Sequence, residues 1–206
     1  VVDRYALLDS GSALGRGNGQ LLVRRRGDRS PIRRVAIPGE LTTANAMLLR
    51  FFPSIVDRTP VLFSEIAAAV ERGAFDAGVL IHEGRFTYER HNLELVADLG
   101  ALWEQQTGLP LPLGGIVASR ELLAEVRRTF DRVLHDSIAY ALEHPTVSRP
   151  FVREHARELD DEVIDRHIAL FVNRYSLALG EEGRRAVREL TGLPDLRLGW
   201  EPLHGS

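Results

Sequence analysis

The side chains of this sequence that are best suited to chemistry follow a short apolar run. The run Gly78–Ile81 leads directly into His82, Glu83, Gly84 and Arg85. An apolar run of this length, bounded by turn signals, predicts a buried strand of an α/β unit. Ligands of open α/β sheets bind beyond the carboxyl ends of the strands, and an unperturbed histidine has a pKa of ~6.5. His82 is therefore a candidate general base, with a hydrogen-bonded structural histidine as the alternative.

His82 and Glu83 also form the first half of the H-E-x-x-H motif, in which two histidines one helical turn apart bind zinc. Phe86 stands where the second histidine is needed, so we predict no metal site. Arg85 adds a guanidinium for an anionic group and is a candidate substrate-binding residue. The alternative for Glu83 and Arg85 is a local ion pair or a pair that binds backbone groups.

A second candidate segment is the run Ile37–Ala44, which predicts a strand, a tight turn at Pro38 and Gly39, and the start of a helix. Thr42 or Thr43 is expected to cap that helix. The free N–H groups of a first helical turn, together with two hydroxyls, suit a carboxylate or a phosphate. Plain helix capping is the alternative.

The glycine-rich run Gly11–Gly19 resembles a phosphate-binding loop only superficially. Gln20 occupies the place of the third glycine of the dinucleotide fingerprint, and the P-loop lysine is absent. We interpret the run as a flexible turn between strands, with close backbone approach to a ligand as the alternative.

Composition excludes several classes of function. All 26 basic residues are Arg and Cys is absent, so lysine-anchored cofactors and thiolate chemistry are excluded; no pattern demands a cofactor. The net charge of −3 gives no electrostatic reason to bind nucleic acid or a membrane surface. No apolar run approaches the ~20 residues of a membrane span, and no signal peptide is recognisable. We expect a cytoplasmic protein with a small-molecule substrate, and a homodimer stays open.

Hydrophobic periodicity predicts an alternating α/β region followed by amphipathic helices. The predicted strands are 5–8, 20–25, 34–37, 61–62, 76–81, 93–99 and 116–118. The predicted helices are 42–52, 65–72 (capped by Ser64), 102–107, about 122–142, 151–159, 161–179 and 182–190. The chain starts at Val1, and its single Met is Met47; we therefore expect an N-terminal piece to be missing.

Taken together, these segments resemble the 1,4-dihydroxy-6-naphthoate synthase family of the futalosine route to menaquinone. The resemblance extends over nearly the whole chain, and its longest specific segments are H-E-G-R-F-T-Y and T-G-L-P-L-P-L-G. The matching residues are 11–19 with 21–23, 37–44, 78–88, 98–100 with Trp103, 107–114, 167–168 with 171–173, and 179–183.

The resemblance implies an α/β, two-lobed fold of the periplasmic-binding-protein-like (type II) kind. Residues 33–113 would form one lobe. Residues 1–32 and 114–206 would form the other, and we expect its N-terminal part to be missing. Members of the family carry a substrate-contacting serine segment there, for which this chain has no match.

The resemblance also implies roles for single residues. His82 matches the catalytic histidine of the family, and Thr43 with Ala44 matches its substrate-binding pair, next to Thr42. The implied reaction releases 1,4-dihydroxy-6-naphthoate from cyclic dehypoxanthine futalosine. Two other functions stay open: a small-carboxylate solute-binding module of the same fold, and a chorismate dehydratase-like sister enzyme. The His82 segment favours the synthase.

Overall fold

The computed structural model describes residues 3–82, 84–155 and 161–193. These residues divide into two compact units: Arg16–Leu111, and the chain on either side, up to Gly15 and from Pro112 onward. The strands are β1 (Tyr5–Leu7), β2 (Ala13–Gly15), β3 (Leu21–Arg25), β4 (Arg34–Ile37), β5 (Asp57–Pro60), β6 (Ala77–Leu80), β7 (Leu93–Asp98), β8 (Leu111–Gly114) and β9 (Val117–Ser119). The helices are α1 (Thr43–Phe51), α2 (Phe63–Glu71), α3 (Gly84–Thr87), α4 (Leu99–Thr107), α5 (Ala124–Glu143), α6 (Pro145–His155), α7 (Asp161–Phe171), α8 (Arg174–Leu177) and α9 (Gly180–Thr191), with a 3₁₀ turn at Tyr88–His91.

A mixed five-stranded sheet, in the order β5-β4-β6-β3-β7, forms the centre of the unit Arg16–Leu111. Strand β4 runs parallel to β5 and β6, whereas β3 runs antiparallel to both β6 and β7. In this register Leu21 lies opposite Leu80 on one side and Asp98 on the other. The start of β3 therefore lies beside the carboxyl ends of β6 and β7.

Both faces of this sheet are buried, which explains why its central strands are continuous apolar runs. Leu21 and Val23 of β3 pack in one cluster with Ile66 and Val70 of α2. Leu22, between them, is fully buried outside that cluster. Helices α1 and α4 contact each other, and they also contact β6 and β3 respectively. Because side chains alternate along a strand, Leu22 faces the side of the sheet that α1 and α4 cover.

The other unit, up to Gly15 and from Pro112 onward, contains two short strand pairs and a run of helices. Strand β1 pairs antiparallel with β9, and β2 pairs with β8. The buried Asp131 of α5 accepts a 3.0 Å hydrogen bond from the backbone N–H of Ser10. Most apolar side chains of α5 lie at the surface, Phe130 (53% exposed) and Val133 (58%) among them. In the parts of the chain that the structure describes, no helix is long and apolar enough to cross a membrane.

Several element boundaries differ from the sequence-based expectation. The strand expected at 61–62 lies at Asp57–Pro60 instead, and α2 begins at Phe63, without the expected cap by the side chain of Ser64. The helix expected over 161–179 is interrupted, because Asn173 forms a capping box with Ser176 and starts α8. The expected helix 151–159 begins earlier, at Pro145, and its residues 156–159 lie outside the described residues.

The expected division into lobes, 33–113 against 1–32 with 114–206, stays a prediction. The boundaries between the two compact units lie at other places in the chain, between residues 15 and 16 and between residues 111 and 112. The difference comes from β3, which hydrogen bonds to β6 and β7 and therefore belongs to the central sheet.

Two glycines allow the loop before β3 to touch the start of α4. A Cβ atom on Gly100 would lie 2.5 Å from the Cα of Gly19, and one on Gly19 would lie 2.2 Å from the Cα of Gly100. Neither contact can be relieved by turning a side chain, because both partners are backbone atoms. Glycine is therefore required at both positions.

Gly100→Ala should lower the free energy of unfolding by about 1–3 kcal/mol, since the added methyl group forces the two backbone segments apart. Urea denaturation monitored by circular dichroism measures this change. Gly114→Ala is the matched control, because a Cβ there meets no atom within 4 Å. Equal unfolding midpoints for the two variants would contradict the prediction.

Candidate active site at the carboxyl edge of the sheet

The carboxyl ends of β4 and β6 bring the two predicted segments to one edge of the sheet. These strands are parallel neighbours, so the turn after Ile37 and the turn after Leu80 emerge side by side. Strand β3, the next neighbour of β6, begins at the same edge with Gln20 immediately before it. This is the position at which open α/β sheets bind their ligands.

His82 lies in the turn after β6 with a left-handed backbone conformation, φ = 53°. This conformation costs a residue with a side chain about 1–2 kcal/mol, and such strain is concentrated at functional sites. The imidazole is exposed, and it packs edge-to-face against Phe63, with ring centroids 5.5 Å apart and an interplanar angle of 71°. Phe63 thus packs against the ring of an exposed residue.

Thr42, one of the two caps that the sequence predicts, caps helix α1. Its hydroxyl donates to the carbonyl oxygen of Gly39 (2.7 Å) and accepts from the N–H of Asn45 (3.2 Å). The side chain of Thr42 is therefore used to hold the turn and the helix together. Thr43 and Ala44 are the next residues of the first turn, where N–H groups and the helix dipole favour an anion.

Arg85 holds two segments of protein together. Its guanidinium donates to Asp98 Oδ2 (2.8 Å) and to the carbonyl oxygen of Gly19. Asp98 also caps α4 by accepting from the N–H of Ala101 (2.9 Å). The side chains of Arg85 and Asp98 are only 17% and 25% exposed. A substrate anion would have to compete with Asp98 for Arg85, so the contacts shown are those of a positioning residue.

The glycine-rich run does not form a phosphate cradle within the described residues. The N–H of Gly17 donates to Glu104 Oε1 (2.7 Å), and Arg16 donates to the carbonyl oxygen of Gly108 (2.8 Å). A carboxylate bound to this loop opposes the binding of a second anion. The close approach that glycine allows here is made by Gly19 to Gly100. Glu83, the remaining charged residue of the histidine segment, lies outside the described residues.

Two buried amide side chains at this edge were missed by the sequence analysis. Gln20 precedes β3 and is 4% exposed, and Asn45 lies in the first turn of α1 and is 8% exposed. Their positions next to the start of β3 and in the first turn of α1, both at the carboxyl edge of the sheet, were the available signal. Elsewhere in the described ranges, no three His, Asp or Glu side chains come together as a metal site would require.

Known structures with this fold place the chain in a class. A Candida albicans protein with the generic periplasmic binding protein fold aligns with 93% of this chain and 68% of its own, with a TM-score of 0.59 at 9% identity. A protein from Archaeoglobus fulgidus aligns with 93% of this chain and 72% of its own, with a TM-score of 0.81 at 35% identity. The chain thus has the two-lobed, type II periplasmic-binding-protein-like α/β fold that the sequence predicts.

Sequence comparison gives the family within that class. The Menaquinone biosynthesis family matches residues 1–194. A Thermus thermophilus protein named 1,4-dihydroxy-6-naphthoate synthase is 48% identical over 192 residues, 92% of this chain and 70% of that protein. Its namesake from Streptomyces coelicolor is 44% identical over 197 residues, with the same coverage. The chain belongs to the 1,4-dihydroxy-6-naphthoate synthase family, which confirms the resemblance drawn from its motifs.

Arg85→Gln should lower the free energy of unfolding by about 1–3 kcal/mol, because it leaves the partly buried carboxylate of Asp98 without its cation. Thermal and urea denaturation measure the change. Arg90→Gln, an exposed arginine a few residues further on, is the control and should unfold as the parent protein does. A variant of Arg85 with unchanged stability would show that its contacts with Asp98 and Gly19 contribute nothing.

Proposed function

We propose that this chain acts as a carbon–carbon lyase that converts cyclic dehypoxanthine futalosine to 1,4-dihydroxy-6-naphthoate in menaquinone biosynthesis. The observation that carries the proposal is the identity of 44–48% to two relatives named for this product. The geometry supports it, because His82 is an exposed base beyond the carboxyl end of β6.

In the proposed mechanism, neutral His82 accepts a proton from the ribose-derived part of the substrate. Loss of that proton starts the cleavage of the carbon–carbon bond and the departure of the sugar remnant. A base held in position typically contributes about 10²–10⁴-fold to the rate. The edge-to-face contact with Phe63 supports this role, since the imidazole packs against that ring while the residue stays exposed.

The start of α1 is proposed to hold a carboxylate or hydroxyl-bearing part of the substrate. Thr43 and Ala44 lie in the first turn, where the N–H groups point outward along the helix axis. Thr42, whose hydroxyl is engaged with Gly39 and Asn45, contributes by fixing the position of that turn. Arg85 contributes by holding Gly19 against Asp98, and direct contact with substrate stays a prediction for it.

The solute-binding function has weaker support. The Candida albicans neighbour is 9% identical, so its likeness concerns the fold, and fold alone does not decide function. Two expectations from the sequence stay predictions. The first is that the protein binds a small molecule and neither nucleic acid nor a membrane. The second is that it is cytoplasmic.

His82→Gln should reduce turnover of cyclic dehypoxanthine futalosine by at least about 100-fold, because glutamine keeps a polar side chain and cannot accept the proton at neutral pH. Product formation followed by absorbance, in the natural full-length protein, measures this loss. The melting temperature should stay close to that of the parent protein, because the imidazole is exposed.

His91→Gln is the matched control, since His91 is a half-exposed histidine of the 3₁₀ turn and its ring pairs with Glu71 of α2. It should retain the parent rate. Near-normal turnover by His82→Gln would overturn the role of His82 as the base. A parent protein that does not turn the substrate over would overturn the proposed function.

A further inference from the structure

The carboxyl edge of the sheet contains two buried side-chain oxygens that can accept hydrogen bonds. These are Oε1 of Gln20 and Oδ1 of Asn45, both shielded from solvent. Among the residues that the structure describes, neither oxygen has a hydrogen-bond partner. Buried polar atoms are nearly always paired, and leaving one unpaired is unfavourable. An edge that retains two of them is suited to a ligand that supplies the missing donors.

The orientation of Asn45 is determined by its other contact. Its Nδ2 donates to the carbonyl oxygen of Glu40 at 2.8 Å. Turning the amide over would place Oδ1 of Asn45 against the carbonyl oxygen of Glu40, and two acceptors repel each other. Oδ1 is therefore the atom without a partner among the described residues. Because Glu40 precedes α1, the amide of Asn45 folds back over the start of the helix, where Thr43 and Ala44 lie.

The position of Gln20 follows from the register of β3. Leu21 pairs with Leu80, so Gln20 lies beside the segment that leads from β6 to His82. Neighbouring strands are about 4.8 Å apart, so the backbone of Gln20 lies about one strand spacing from the segment that ends at His82. Leu22 faces the side covered by α1 and α4, and Gln20, two residues earlier, faces the same side. Asn45 lies on that side too, in α1.

We propose that Gln20, with Asn45 on the same side of the sheet, is a substrate-binding residue whose side-chain oxygen accepts a hydrogen bond from a hydroxyl group of the ribose-derived part of the substrate. This inference rests on the proposed function, which assigns that part of the substrate to His82. Both oxygens are acceptors, so the matching ligand groups are donors, and hydroxyl groups provide them. The last torsion of a glutamine side chain is broad, so Oε1 turns toward a bound group with little resistance.

Gln20→Met tests this inference, because methionine keeps the length of the side chain and removes the acceptor. We expect kcat/KM for cyclic dehypoxanthine futalosine to fall about tenfold or more. The melting temperature without substrate should be unchanged or higher, since an unpaired buried oxygen is lost. A purely structural role for Gln20 predicts lower stability with unchanged kcat/KM, so the two readouts separate the roles.

Affinity for the product, 1,4-dihydroxy-6-naphthoate, should stay within about twofold of the parent value, because the product lacks the sugar-derived part. An equal loss of affinity for the product would overturn the assignment to that part. Gln105→Met, at an exposed position on α4, is the matched control and should leave kcat/KM and the melting temperature unchanged. Gln20→Leu removes the same oxygen with a different shape and should reproduce the fall in kcat/KM.

The outcomes also distinguish this inference from the proposed function. An active parent protein with unchanged kcat/KM in both Gln20 variants would overturn the role of Gln20 alone. An inactive parent protein would overturn the proposed function, and the inference with it.

Discussion

Strand β3 runs antiparallel between β6 and β7, and the candidate site depends on this pairing. Because the direction of β3 is reversed, its first residues lie beside the last residues of its two neighbours. Gln20 thereby comes next to the turn of His82, and Gly19 comes next to the start of α4. With β3 parallel to its neighbours, these residues would lie at the opposite edge of the sheet. The chain leading into β3 therefore forms part of the candidate site.

The groups at this edge differ in how they contribute to stability. Arg85, Asp98 and Thr42 form hydrogen bonds that hold the loops around the edge in place. His82 has a left-handed backbone, and the oxygens of Gln20 and Asn45 lack partners among the described residues. Unfavourable features of this kind persist where the surrounding structure is rigid enough to impose them. The buried sheet beneath the edge, with Leu22 and Val79 fully enclosed, supplies that rigidity.

Elements with strong local signals were predicted well. Strand β4 has the predicted bounds, and α1 begins after Thr42, one of the two caps predicted for it. Strand β5 was misplaced because its residues Asp57–Pro60 are polar and mostly exposed. They form a strand only because they pair with β4 at the edge of the sheet. The amphipathic pattern of α5 predicted a helix, and it carried no information on what the apolar face contacts.

Local sequence patterns were sufficient for the family, the α/β class, the position of His82 after a buried strand and the helix start at Thr42. These features depend on residues close together in the chain, whose periodicity and capping chemistry can be recognised directly. The partners of Arg85, the contact of Gly19 with Gly100, and the unused oxygens of Gln20 and Asn45 depended on the fold. Each of them involves strand order and register between segments far apart in the chain. Strand pairing uses backbone groups that every residue other than proline carries in full, so side-chain identity alone does not reveal it.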